Sequence, residues 1–200
     1  MTFSFIGDNS PIFNVTADVV FVVDSSNEVS SQGYTTEKRF VKSVARALNL
    51  APKKSRVAVI IYSDYATTPI KFTDYQTTDR FNDAVDKLIH LRRTRRMDRA
   101  LFETVEALKQ ARPLFPKLVF FLTSGRQDTG APSLDAAARA VTETGAMMYL
   151  VAIGQRPNLR ELRVVVEKPE NIISVTTFGD LQQQSRAVSK DIADNLRKCQ

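Results

Sequence analysis

Four unbroken apolar runs constrain this chain more than any other feature. They are ADVVFVVD (17–24), RVAVIIYS (56–63), KLVFFLTS (117–124) and AMMYLVAI (146–153). All are rich in β-formers and far short of the roughly 18 apolar residues that a membrane span needs. Continuous rather than alternating apolarity means burial on both faces, the mark of a central parallel sheet. NIISVTTF (171–178) reads as a further, edge strand, and TPIKFTDY (68–75) alternates, as a half-exposed strand hairpinned to its predecessor does.

Amphipathic stretches separate these runs. In EKRFVKSVARALNL, Phe40, Val41, Val44, Ala47 and Leu48 share one helical face. TTDRFNDAVDKLIHL opens on a Thr/Asp cap and groups Phe81, Val85, Leu88 and Ile89. DRALFETVEALKQARP turns Leu101, Val105 and Leu108 inward and stops at Pro113, while SLDAAARAVTETG ends on Gly145, a C-cap residue. GDLQQQSRAVSKDIADNLRK closes the chain, with Leu181, Val188, Ile192 and Leu196 on its apolar stripe. The alternation predicts an α/β fold: a Rossmann-like, open, mostly parallel sheet with one antiparallel edge strand and helices on both faces. No repeat or linker divides it, so we expect an N-terminal arm (1–16) and one domain (17–198). Ligands of such sheets sit outside the carboxyl ends of the strands, where Asp24 and Ser124 lie.

That edge lacks the parts of common enzymes. The turn after the first run has no glycine with which to wrap a pyrophosphate, and no G-x-S-x-G elbow follows a strand. The single histidine, His90, falls at the expected solvent end of a helix, without a second histidine for a catalytic pair. We therefore expect no catalysis. One cysteine, Cys199, supports neither a disulfide framework nor a cysteine-ligated zinc; beside the C-terminus it is either a free thiol or a bridge to something outside this segment. The tripeptide NVT at Asn14 is an N-glycosylation acceptor, which favours a secreted setting. No secretory h-region or membrane span is evident, so any signal for secretion lies outside this chain.

The runs ADVVFVVDSSNEV, SRVAVIIYSDYATTPIKFTDY, KLVFFLTSGRQD and MMYLVAIG resemble, in sequence and order, the von Willebrand factor type A domain, and the likeness covers nearly the whole chain. Within that family the matrix-protein branch is most similar, above all an A domain of a collagen VI alpha chain, whose closing segment ENIISVTTFGDLQQ resembles. The resemblance implies a metal-ion-dependent adhesion site: a D-x-S-x-S turn, a Thr before the third large helix and an Asp ending the fourth strand, together holding Mg²⁺. A hard cation of this kind wants about six oxygen ligands near ~2.1 Å, one of them supplied by a partner's carboxylate.

Only part of that set is present. Asp24 and Ser26 match; Glu28 stands for the second Ser, Met97 for the Thr and Ser124 for the Asp, although a shifted loop register would bring in Thr94 or Asp98. A thioether is a poor ligand for a hard ion, and Glu28 is long enough to crowd one. The implied metal set Asp24, Ser26, Glu28 and Ser124 is thus degenerate, weak or empty; the alternative is a Mg²⁺-dependent adhesion domain that binds an acidic residue of a partner through Asp24, Ser26 and Glu28.

HLRRTRRMDR adds Arg92, Arg93, Arg95, Arg96 and Arg99 on the same edge, and Arg126 follows Ser124. Several guanidinium groups near a divalent cation would weaken it further. They form either a solvated loop paired to nearby acids or an anion site, for which a sulfated glycosaminoglycan or an acidic protein face is suited. The net charge of +6 and pI near 9.5 fit an acidic partner. Stacking aromatics are missing from the loop, which argues against nucleic acid. Matrix proteins or sister A domains are the expected partners, in the extracellular matrix, without membrane insertion.

Overall fold

The computed structural model describes residues 16–188, apart from 49, 52, 76, 182 and 186. Asn14, Cys199, nearly all of the N-terminal arm and the part of the expected closing helix beyond residue 188 lie outside the described residues. Six strands form one sheet: β1 (Asp18–Asp24), β2 (Arg56–Tyr62), β3 (Ala66–Ile70), β4 (Lys117–Thr123), β5 (Met147–Ile153) and β6 (Ile172–Val175). Their order is β3-β2-β1-β4-β5-β6, with β3 alone antiparallel. The principal helices are α1 (Ser31–Ala47), α2 (Thr78–Asp86), α3 (Met97–Leu108) and α4 (Asp135–Thr142).

Every residue of β1 is buried. Successive side chains point to opposite faces, so Val19, Phe21 and Val23 join one core with Phe40, Val44 and Phe81 from α1 and α2. Val20 and Val22 join the other, with Leu101 from α3 and Val141 from α4. The continuous apolarity of the strands follows from this double burial. Phe21, Phe120 and Tyr149 stand in register across three strands, their rings stacked at 5.3 and 5.0 Å. Each such pair adds about 1 kcal/mol beyond area burial.

Three helices depart from the sequence expectation, α3 by ending at Leu108 instead of running up to Pro113. α1 starts at Ser31, ahead of its apolar stripe, because the Ser30 hydroxyl caps it by accepting from Gly33 N at 3.0 Å. α2 ends at Asp86 rather than running to Leu91, and Ile89, expected on the buried stripe, is 64% exposed. The cause is competition for backbone partners. From Leu88 the chain is drawn out across the carboxyl edge of the sheet: Leu91 N donates to Ser25 Oγ (2.7 Å), Arg92 N to Ser25 O (2.8 Å), and Asn27 N to Arg93 O (2.8 Å). His90 accordingly lies not at a solvent-facing helix end but half-buried in this α2–α3 loop, stacked on Tyr34 at 4.5 Å. Strand order reverses between β1 and β4, so Asp24 and Ser124 flank the switch point.

Candidate functional site: a guanidinium at the switch point

Asp24 ends β1 and is fully buried. Its Oδ1 accepts from Ser26 N at 3.1 Å; its Oδ2 accepts from Ser124 N (3.1 Å), Ser124 Oγ (3.2 Å) and Arg95 Nε (2.9 Å). Arg95 is the element that the sequence alone does not place. Its side chain is 1% exposed and inserts from the α2–α3 loop between the β1–α1 and β4–α4 loops. Nη2 donates to Ser26 Oγ and Ser124 Oγ, both at 3.0 Å, and Nη1 to Glu28 Oε2 at 3.2 Å and Arg126 O at 3.3 Å. A guanidinium has five N–H donors, and here each has an acceptor.

The backbone locks this side chain in place. Arg95 N donates to Asp128 Oδ2 (3.0 Å), and Asp128 N returns a bond to Arg95 O (3.1 Å). Gly125 leaves the space the side chain fills: a Cβ at that position would lie 2.0 Å from Arg95 Nη1 and 2.8 Å from its Cζ. Burial alone would favour the neutral guanidine, but the Asp24 and Glu28 carboxylates outweigh it and hold the Arg95 pKa above its usual value. Buried ion pairs repay desolvation only when their remaining donors are also satisfied, a condition that five acceptors meet.

The four residues of the expected metal set, Asp24, Ser26, Glu28 and Ser124, do converge, but on Arg95. Glu28 does not crowd the centre; it stands at the mouth, 45% exposed, with Arg156 Nη1 at 3.6 Å on its other side. Met97 is buried at the start of α3, where its N–H bonds Gln127 Oε1 at 2.6 Å. The shifted-register ligands are engaged elsewhere or turned out. Asp98 holds Arg96 through both oxygens (2.8 and 2.7 Å) and accepts from Gln127 Nε2, while Thr94 is exposed. One buried carboxylate, two hydroxyls and a thioether, already filled by a tethered cation, do not fit a resident Mg²⁺.

The expected anion-binding arginines divide. Arg95 does not belong with the surface set, because it is buried and its donors are used internally. Arg96 is bidentate to Asp98. Arg92, Arg93, Arg99 and Arg126 remain exposed. Arg93 has only a loose contact with Asp64 at 3.6 Å, and Arg99 Nη1 donates to the Asp64 carbonyl at 2.6 Å. Arg92 adopts a left-handed backbone (φ 58°), unusual for a non-glycine and common at functional loops. Its Nε meets His90 Nδ1 at 3.3 Å and its Nη2 reaches Ser31 Oγ at 2.7 Å. Since arginine can only donate, His90 Nδ1 is the acceptor, which leaves Nε2 to donate to Ser26 O at 3.1 Å.

Behind the site lies Glu37 of α1, fully buried, with neither carboxyl oxygen hydrogen-bonded. Burial first, and then the nearby Asp24 charge, push its pKa well above the usual carboxylate range, against the opposing pull of Arg95. The same two influences raise the Tyr62 phenol, whose hydroxyl donates to Leu122 O at 2.9 Å. Glu37 was findable from sequence: it stands three, four and seven residues before Phe40, Val41 and Val44, on the apolar stripe of α1. No comparable signal marks Arg95 among its arginine neighbours.

This sheet order, with a Ser/Asp loop at the switch point, defines an open α/β domain of the doubly wound class. The family model of the von Willebrand factor type A domain matches residues 18–187, and the chain belongs to that family. It is similar to mouse matrilin-2 (23% identity over 84% of this chain and 18% of the relative) and human matrilin-4 (27%, 92% and 31%). Human collagen alpha-6(VI) chain is 24% identical over 84% of this chain and 7% of the relative. The chain thus spans less than a third of the length of these curated relatives. In structure it is similar to proximal thread matrix protein 1 from the mussel byssus, with a TM-score of 0.82, 19% identity, and coverage of 89% of this chain and 48% of that one. That mussel protein has also been solved with a zinc-occupied MIDAS motif. The domain is of the extracellular-matrix kind, the setting of the matrilins and collagens it resembles. Among the described residues no helix is long and apolar enough to cross a membrane.

Proposed function

We propose that this domain is a non-catalytic interaction module of a matrix chain, of the collagen VI or matrilin type, with a degenerate metal-ion-dependent adhesion site. Arg95 stands where the family's cation would stand, so the domain engages sister A domains or other matrix proteins without a divalent metal. One observation carries this reading: all five donors of the buried Arg95 are taken up by Asp24, Ser26, Ser124, Glu28 and the Arg126 carbonyl.

Magnitudes favour it over the Mg²⁺-dependent alternative through Asp24, Ser26 and Glu28. A metal would first have to expel Arg95, and breaking a buried ion pair costs about 3–5 kcal/mol. That lowers the apparent affinity by roughly two to four orders of magnitude. The test is calorimetric titration with Mg²⁺ and Mn²⁺, paired with thermal melts in millimolar Mg²⁺ and in EDTA. We expect no saturable heat and no change in Tm, since a ligand of the native state would raise Tm. Saturable heat with an EDTA-reversible rise in Tm would refute the metal-free reading.

A further inference from the structure

Beside the buried guanidinium, a groove of about 470 Å³ opens between the β4–α4 and β5–β6 connections, lined by Glu28, Arg126, Thr129, Gln155 and Arg156 among others. Its size suits one or two side chains of a partner rather than a long polymer. Arg156 belongs to it although its place in the sequence, far from the arginine-rich loop, gives no hint of this. The side chain of Arg156 is 75% exposed, and its contact with Glu28 at 3.6 Å is too long for a hydrogen bond. Arg126 is exposed too, while its backbone carbonyl helps hold Arg95.

The donor and acceptor inventory of the groove is lopsided. Each carboxylate that lines it already gives one oxygen to Arg95: Glu28 Oε2 accepts from Arg95 Nη1, and Asp128 Oδ2 accepts from Arg95 N. The two arginine forks are donors only, and they face the opening. We infer that this groove binds a carboxylate from an acidic segment of a protein partner, gripped by Arg126 and Arg156. A guanidinium fork thereby performs the recognition, and the buried Arg95, besides pairing with Asp24, holds Glu28 and the Arg126 backbone in position. Arginine matches carboxylate in a planar, bidentate way that lysine does not. A sulfated glycan is the poorer occupant, because it wants a continuous cationic track, whereas here Glu28 sits against Arg156 and Asp128 lines the same wall. The exposed Arg92, Arg93 and Arg99 on the neighbouring loop add an attractive field without forming the grip.

This inference rests on the metal-free reading, and one experiment separates the two. The probes are a capped glutamate-containing decapeptide, its glutamine counterpart and a heparin octasaccharide. Binding to the isotope-labelled chain is followed by amide and arginine Nε–H NMR shifts, in EDTA and in Mg²⁺. Saturable shifts at Arg126, Gln155 and Arg156 are expected with the glutamate peptide in EDTA, and not with the glutamine peptide. Arg126→Ala/Arg156→Ala should weaken binding about tenfold or more, and Arg156→Lys should weaken it as well. Arg92→Ala/Arg93→Ala should leave it nearly unchanged. Binding in EDTA that ignores Arg126→Ala/Arg156→Ala would overturn the groove and leave the metal-free reading standing. Binding that appears only in Mg²⁺ would overturn the metal-free reading itself. Stronger binding of the octasaccharide, sensitive to Arg92→Ala/Arg93→Ala, would assign the face to sulfated glycans and overturn the proposal.

Discussion

The central strand β1 begins and ends on a buried aspartate, and each is neutralised by arginine, yet the two ends do different things. At the amino end, Asp18 is clasped by two arginines. Oδ1 accepts from Arg56 Nε (3.0 Å), Arg112 Nε (3.0 Å) and Arg112 Nη2 (2.7 Å), and Oδ2 from Arg56 Nη2 and Arg112 N. Those arginines are 15% and 19% exposed, so they stay partly hydrated. At the carboxyl end a single arginine, 1% exposed, serves two carboxylates and two hydroxyls, and an arginine-lined groove opens beside it. The same pair chemistry makes a partly hydrated clamp at one end and a fully buried guanidinium among three loops at the other. What separates them is the route of the arginine. Arg56, the register partner of Asp18 on the adjacent strand, and Arg112, from the turn after α3, each keep part of the side chain in water, whereas Arg95 is inserted wholly from the α2–α3 loop.

Breaking the two pairs should show the difference directly. Asp24→Ala has the largest expected effect, about 4 kcal/mol of lost stability in urea unfolding, because it leaves Arg95 buried without its main counter-charge. Adding Arg95→Met to it should restore a substantial part of that loss, as apolar replacements of buried pairs do. Asp18→Asn should cost less, about 2 kcal/mol, since Arg56 and Arg112 can turn to water. Desolvation raises the Asp18 pKa, but its bonds to Arg56 and Arg112 prevail and depress it below the usual value. Its stabilisation is therefore present above the unfolded-state carboxylate pKa and lost as pH falls through the lower folded value. Asp18→Asn should accordingly shrink the acid limb of the stability profile.

Three further substitutions sharpen the comparison at the carboxyl end. Gly125→Ala should destabilise by about 1–3 kcal/mol through overpacking against Arg95, and the penalty should vanish in an Arg95→Ser background. Glu37→Gln works in the opposite direction. A carboxyl whose folded pKa is raised contributes stability fully present below its unfolded pKa and lost as pH rises through the folded value. The substitution should thus flatten the decline in stability above about pH 4.5 and stabilise the domain by about 1 kcal/mol at neutral pH. Arg93→Ala has the smallest expected effect, under about 0.5 kcal/mol, because its pair with Asp64 is long and largely exposed.

Much of this was readable in advance and some was not. The strands were readable because burial on both faces clears polar residues from the middle of a run, and no helix of that length needs such a pattern. Asp24 and Ser124 were placed at the functional edge because strand ends and sheet order follow from the alternation of elements. The α2–α3 loop was not readable. Apolar spacing continued a helix through Leu88 and Ile89, but Ser25 and the β1–α1 backbone offered hydrogen bonds that drew the chain out of the helix. Nor could composition tell Arg95 from Arg93. Residues two apart in an extended loop point the same way, so alternation does not separate these two; the cavity left by Gly125 takes up Arg95.

The sequence by itself determined the sheet, its two apolar cores, the family and the pair of loops that meet at the switch point, because each follows from local periodicity and chain order. Tertiary structure alone decided what fills that point. It turned on contacts between residues 24, 26, 28, 95, 124 and 126. Five hydrogen bonds to one guanidinium depend on the coincidence of three loops in space, and no spacing along the chain encodes that.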